Sequence, residues 1–242
     1  MSYDVIGDIH GCADTLRALL EALGYTKRAG VYEHVQRQVV FLGDFVDRGP
    51  RQRETIEIVR PMIDQETALS VMGNHEFNAV SFATPRRDGD GHLRQRIKKH
   101  TDQHRAFLNE YEDDPVAWND VVDWFRTLPL WLDLDGLRVV HAVWCPDTVA
   151  RLASAHDARA LTSEDFLHAS NEKGTWQFDA VDLLLKGQEV EMPAGVEYFD
   201  KDGNPRTAMR TRWWDDTVAT YRDAYLGPPE HRDAVPKDPL PG

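Results

Sequence analysis

Sulfur is scarce in this chain of 242 residues: two cysteines, Cys12 and Cys145, are too few for a disulfide framework, which fits a reducing compartment. No apolar run approaches the roughly 18 residues needed to span a bilayer. Asp4 and Asp8 interrupt the stretch where a signal peptide would need a basic start and an apolar middle. The expectation is a cytoplasmic protein with no membrane partner. Positive charge is also short, with 28 Lys+Arg against 41 Asp+Glu and a formal net charge of -13. That balance disfavours duplex nucleic acid as a partner, although bound ions and a few arginines can reverse the local field enough to hold phosphate. Internal repeats are absent. The one shift in composition begins at Gly227, where Pro228, Pro229, Pro236, Pro239 and Pro241 rule out a continuing helix or central strand. The expected organisation is one domain over residues 1–226 and an irregular proline-rich tail over 227–242.

What the chain does have is three polar blocks, each just past a short apolar run. Gly7-Asp8-Ile9-His10-Gly11 follows Tyr3 to Ile6, Gly43-Asp44-Phe45-Val46-Asp47-Arg48-Gly49 follows Val39 to Leu42, and Gly73-Asn74-His75-Glu76 follows Ala68 to Met72. The runs have the length and β-branched content of buried parallel strands. Between them, Leu16, Leu19, Leu20 and Leu23 recur at helical spacing with Gly24 as a stop, and Ile56, Val59 and Ile63 mark a second helix that Pro61 should kink or shorten. This β-α-β-α-β beginning argues for an α/β fold whose site lies beyond the carboxyl ends of the strands.

Farther on, Thr84 to Lys99 reads as a long polar loop whose arginines, Arg86, Arg87, Arg94 and Arg96, form either a solvated excursion or a basic lip for an anionic substrate. Helical patterns cover His100 to Tyr111 and Val116 to Leu128, a helical insertion over about 84–128. Leu130 to Leu134, Asp135-Gly136 and Leu137 to His141 read as a hairpin on a type I′ turn. A capped helix is expected after Ser163, another over Trp176 to Leu185, and a second hairpin around Asp202-Gly203-Asn204. Trp213 or Trp214 is expected to pack in the core.

The polar residues of the blocks suit metal ions. Asp8 and His10, two apart in an extended segment, lean to one side and can share an ion. Asp44 has two oxygens and can bridge a pair, Asn74 offers a neutral carbonyl, and His141 stands at a fourth strand end. Turn and cap chemistry accounts for each singly but not for their convergence. A mixed carboxylate, imidazole and amide set suits Mn, Fe or Zn rather than an all-thiolate or all-oxygen site, and two divalent ions are expected, Mn foremost.

In their order and spacing, GDIHG, GDFVDRG and GNHE resemble the signature blocks of the PPP-type, calcineurin-like metallophosphoesterases, a family that includes serine/threonine protein phosphatases and symmetrical diadenosine tetraphosphatases. The resemblance implies a sandwich of two mixed sheets flanked by helices, and two divalent ions held by Asp8, His10, Asp44, Asn74 and His141. It makes His75 a general acid oriented by Asp47, and Arg48 a phosphate clamp. An imidazolium held by a carboxylate donates near neutral pH, and a guanidinium fork matches two phosphoryl oxygens, so the chemistry agrees. Water activated between the ions would attack phosphorus in line. Two departures stand out. Ala142 and Val143 replace the glycines that usually follow the fourth-block histidine, and no later Gly-His pair supplies the family's last ligand, as though the chain were shortened and lacked C-terminal strands.

Three functions follow. The first is a protein serine/threonine phosphatase-like hydrolase, the second a symmetrical dinucleoside polyphosphate hydrolase, and the third a shortened metal-binding domain with little turnover. Two decoys carry less. Cys145 to Arg151 has the spacing of a cysteine phosphatase, but Pro146 removes a backbone donor from the loop. His100 and His104 have the i, i+4 spacing of a zinc pair, and a solvated helix face is the simpler expectation.

Overall fold

The computed structural model describes residues 2–192, 195–199, 205–215, 217–227 and 229–239, which cluster into two compact units, Met1–Leu185 and Lys186–Gly242. The first unit opens with β1 (Ser2–Ile6), α1 (Ala13–Ala22), β2 (Thr26–Arg28), β3 (Val31–Glu33), β4 (Arg37–Phe41), α2 (Gln52–Asp64), β5 (Ala68–Ser70) and α3 (Asn74–Ala83). It continues with α4 (Lys98–Gln103), α5 (Arg105–Tyr111), α6 (Pro115–Arg126), β6 (Trp131–Leu134), β7 (Leu137–Val140), α7 (Pro146–Ala155), α8 (Glu164–Ala169) and α9 (Trp176–Lys186). The α/β class is as the sequence led one to expect. Among the described residues the strands group into one three-stranded parallel sheet, ordered β1-β4-β5, and two-stranded antiparallel pairs.

Alternation along the central strand sorts the core. Val39 and Phe41 of β4 face the main core with Leu16, Leu20, Ile56, Val59 and Met62 of α1 and α2, whereas Val40 faces the other way onto Val71 and Val139. The β6–β7 hairpin therefore covers the sheet face that the helices leave open, and this brings the end of β7 to the site. Its turn is not type I′, because only Gly136 takes a positive φ (76°) and Asp135 does not. Among the described residues β1 pairs only with β4 and is an edge strand, so Val5 is half exposed rather than buried. Leu19 likewise points out of the α1 stripe.

The helix over Pro61 is not shortened there but runs on to Asp64, since a proline so near the end removes one bond that the last turn can spare. The helix expected over His100 to Tyr111 breaks at His104, whose φ of -94° and ψ of 7° leave the helical region and separate α4 from α5. Phe107 beyond the break packs its ring on Tyr111, Trp118 and Phe125. Ser163 caps α8 as its spacing foretold, accepting from the Phe166 amide.

The second unit contains β8 (Glu189–Glu191), β9 (Tyr198–Phe199), β10 (Pro205–Arg206), β11 (Ala208–Arg210) and α10 (Tyr221–Ala224). β9 pairs with β10 and β8 with β11. The turn expected at Asp202-Gly203-Asn204 lies outside the described residues. Trp213 and Trp214 are exposed at 37% and 57%, not core. The tail is more regular than its prolines suggest: Pro229–Ala234 form a 3-10 helix, and Val235 is fully buried in the unit's own core. No helix among the described residues is long and apolar enough to cross a membrane.

Candidate metal centre

The parallel strands end on one edge, and their loops are stitched together there by backbone hydrogen bonds. The amides of Ile9 and His10 both donate to the Asp44 carbonyl (3.0 and 2.9 Å), Gly11 donates to Phe45 (2.8 Å) and Gly49 to His10 (2.9 Å). The turns are tight enough that His10, Asp44, Asp47 and Arg48 all sit at positive φ (48°, 54°, 72° and 67°), a conformation costing of order 1–3 kcal/mol for each non-glycine residue and concentrated at functional sites. Gly43 and Gly73 let the second and third loops touch. A Cβ on Gly43 would lie 2.2 Å from the Gly73 nitrogen, and one on Gly73 would lie 2.3 Å from the Asp44 nitrogen.

The structure brings these side chains close together, the first pair by a different local route from the extended segment expected. His10 Nε2 lies 3.6 Å from Asp8 Oδ2 and 3.7 Å from Asp44 Oδ2. The chain is not extended at this point: the left-handed turn at His10 and Gly11 swings the imidazole back over Asp8. His141, directly after β7, places Nε2 3.6 Å from Asp44 Oδ1 and 3.1 Å from Asn74 Oδ1. Both imidazoles are oriented from behind by a backbone carbonyl, His10 Nδ1 on Val46 (2.8 Å) and His141 Nδ1 on Leu42 (2.6 Å), the support that metal-binding histidines characteristically have.

These residues fit cations. Two groups of three donors lie within reach of a single ion, Asp8 with Asp44 and His141, and His10 with Asp44 and His75. Ligands about 2.1 Å from one ion at a tetrahedral angle stand about 3.4 Å apart, close to the 3.6–3.9 Å separations found for these donor pairs. His10 Nε2 is buried without a hydrogen-bond partner, an orphan that a cation would satisfy. The contact with His10 is the largest influence holding the Asp8 carboxyl below the usual range, ahead of the opposing effect of burial. His156, His168 and His231 join neither group.

Behind this edge lies a second constellation, buried apart from Arg48. His75 Nδ1 is 2.6 Å from Asp47 Oδ2, and His75 Nε2 is 3.9 Å from Asp44 Oδ2 and 3.5 Å from the exposed guanidinium of Arg48. His75 thus reaches the centre although it follows Asn74 directly. Asp47 also receives His104 Nδ1 at 2.8 Å on the same oxygen. Burial alone would push the Asp47 carboxyl up, but the hydrogen bonds from His104 and His75 outweigh it and hold the group below its ordinary value.

Three supporting residues were under-read in the sequence. Glu76 is fully buried and accepts from the amides of Asp44 (2.7 Å), Phe45 (2.7 Å), Gly73 (3.1 Å) and Val46 (3.4 Å), tying the second block to the third. Burial and the charge of Asp44 push its carboxyl up to about 7 against those donors. Gln52 accepts from the Asp47 amide (2.8 Å) and donates to the Gly49 carbonyl (2.6 Å). His104 is the third, buried at 1% exposure rather than on a solvated face. The helix break at His104 is the feature that a periodicity argument cannot see. His100 lies apart from it, bonded to the Gln95 carbonyl. The other decoy is also engaged elsewhere: Arg151 stacks on Trp176 at 4.4 Å, and Cys145, at the N-cap position of α7 without capping it, accepts from the Thr148 hydroxyl. The arginines of the 84–97 loop are engaged within the protein, Arg86 with Asp88, Arg87 with Asp165, Arg94 with Asn78 and Gln103, and Arg96 with the Phe82 carbonyl.

A parallel-sheet edge carrying carboxylates, imidazoles and an amide around shared cation positions is the architecture of an α/β metallophosphoesterase domain. The chain belongs to the calcineurin-like phosphoesterases, whose family profile matches residues 1–232, and that family implies divalent metals. Among its relatives are proteins named bis(5'-nucleosyl)-tetraphosphatase PrpE [asymmetrical]. The one from Oceanobacillus iheyensis is 31% identical over 143 residues, 59% of this chain and 55% of that protein. The one from Geobacillus sp. is 42% identical over 143 residues, 59% of this chain and 56% of that protein. The one from Bacillus subtilis is 46% identical over 76 residues, 31% of each. The chain thus matches about half the length, or less, of these curated relatives.

Proposed function

We propose that this protein is a cytoplasmic metal-dependent hydrolase of dinucleoside polyphosphates, cutting unequally along the phosphate chain. The observation that carries the hydrolase is the convergence of Asp8, His10, Asp44, Asn74 and His141 from four strand ends, with His10 Nε2 buried and unpartnered. The names of the relatives support this substrate class over the phosphoprotein that the signature blocks first suggested, and asymmetrical over symmetrical cleavage. We read the phosphoesterase domain as extending through both compact units, which the family match over 1–232 supports.

Asp8, His10 and Asp44 would hold one divalent ion, and Asp44, Asn74 and His141 a second, with Mn the ion to test first and Fe or Zn equally compatible with this donor set. Such ions, when bound, lower the pKa of water and neutralise phosphoryl charge. The protein's own groups do the rest. Arg48, exposed at the rim of the site, offers its fork to non-bridging phosphoryl oxygens. His75 donates Nδ1–H to Asp47, which fixes the ring and leaves Nε2 facing the centre to give a proton to the departing oxygen. Glu76 and Gln52 hold the loops rigid, so that the donors do not reorganise when substrate arrives.

The test offers Mn-loaded protein diadenosine tetraphosphate and a phosphoserine peptide side by side and identifies the products. ATP with AMP is the expected outcome, abolished by chelation. Two ADP would refute the unequal cut, faster peptide turnover would refute the substrate class, and hydrolysis that survives chelation would refute the metal reading. A His75→Asn variant separates acid from ligand. Two equivalents of Mn retained with a loss of about 10²–10⁴ in kcat identify the acid, whereas loss of one equivalent identifies a ligand.

A further inference from the structure

The buried His104 is not used by the chemistry above. Its Nδ1 shares Asp47 Oδ2 with His75 Nδ1, at 2.8 and 2.6 Å, and all three side chains are at most 3% exposed. Asp47 Oδ1 and His104 Nε2 have no hydrogen-bond partner. The imidazole lies edge-on to the Phe82 ring, with centroids 5.5 Å apart, at the break between α4 and α5.

A buried imidazole with an orphan nitrogen is a costly way to fill space, because an unsatisfied polar atom costs about 1–3 kcal/mol where phenylalanine or leucine would cost none. What those residues lack is an N–H aimed at Asp47. With His75 as its single side-chain donor, the Asp47 carboxylate could swing about its own side-chain torsion and carry the His75 ring with it. A second donor on the same oxygen restricts that freedom.

We infer that His104 is a positioning residue for the proposed general acid: by donating Nδ1–H to Asp47 it locks the carboxylate that aims His75 at the leaving oxygen. The inference rests on the reading of His75 as the acid. Partners that orient a reacting group typically cost about 10–100-fold when removed, and here the loss should follow the substrate's need for a proton.

The experiment uses Mn-loaded His104→Phe, which keeps the ring and loses the donor, and His104→Asn, whose amide nitrogen can stand where Nδ1 stood. Each is assayed on phenyl phosphate, whose leaving group needs protonation, and on 2,4-dinitrophenyl phosphate, whose leaving group does not. His104→Phe is expected to lose about 10–100-fold in kcat on the first ester and less than about 3-fold on the second, with His104→Asn recovering most of the difference. Equal losses on both esters, or none, would overturn the inference. His75→Asn is the control. A loss independent of leaving group in His75→Asn would remove both readings, whereas a steep His75→Asn with a flat His104→Phe would remove only this one. A second readout needs neither variant nor metal: nitrogen NMR of the full-length metal-free protein should find His104 protonated on Nδ1 and hydrogen-bonded. A proton on Nε2 alone would overturn the assignment.

Discussion

Replacing Glu76 by glutamine changes one oxygen to an NH2 group at nearly constant volume, yet the geometry makes it among the most damaging single-atom changes available. One carboxylate oxygen accepts from the amides of Asp44 and Gly73, the other from those of Phe45 and Val46, and the side chain has no exposure to water. Whichever way the new amide is turned, its NH2 faces two backbone N–H groups that then have no acceptor. At about 1–3 kcal/mol for each buried donor left unmade, the loss is roughly 2–6 kcal/mol, and in a chain of this size each kcal/mol lowers Tm by roughly 2–4 °C. Thermal unfolding at pH 8, where the native carboxyl is charged, should therefore show Glu76→Gln melting at least about 5 °C lower. The same amides position Asp44, so Mn affinity measured calorimetrically should fall with stability. A variant within about 1 °C of wild type that binds Mn unchanged would refute the view that Glu76 holds the two loops together.

Four further outcomes are expected. His141→Ala should abolish the weaker of two Mn binding events in a calorimetric titration, because the second set has one shared carboxylate, an amide and that imidazole, while the first has two carboxylates. Gly43→Ala should destabilise by about 2 kcal/mol or more in chemical denaturation, since its Cβ would sit 2.2 Å from the Gly73 nitrogen at a φ of 88°. The double substitution of Arg86 and Arg87 by alanine should change KM less than about 2-fold, because both guanidinium groups are spent on exposed carboxylates of the protein, pairs worth little to stability. Cys145→Ser should leave hydrolysis intact while chelation ends it, the reverse of what a cysteine phosphatase would show.

The candidate site was legible wherever its residues stand in contiguous blocks. Asp8, His10, Asp44 and Asn74 stand in blocks that follow apolar runs, and a reader needs only the rule that parallel strands deliver their carboxyl ends to one edge to bring them together. His141 was legible for the same reason, through its hairpin. What escaped was set by packing. His104 looks like one of an exposed pair at i, i+4 until the helix breaks at it, and nothing in the local pattern marks that break. Glu76 resembles any acid in a first turn, because its four partners are backbone amides that carry no sequence signature. The exposure of Trp213 and Trp214 went unseen because periodicity rewards burying aromatics and is blind to a small unit with little core of its own. Composition left the arginine loop open between a solvated excursion and a basic lip, since charge counted along the chain does not reveal which partners each guanidinium has.

The hairpin that brings His141 to the centre has a consequence for how the protein is made. Asp8, His10 and Asp44 lie within one short stretch and meet as soon as β1 and β4 pair, whereas His141 joins Asn74 across a separation of 67 residues and Leu42 across 99. Contacts of such sequence separation tend to form late in folding. A chain still emerging from the ribosome would then own one half of its cation nest well before the other. Pulsed hydrogen exchange should find the amides of Ile9 and His10 shielded ahead of that of Ala142, and a single metal ion would be able to act as a folding aid before it is ever a reagent.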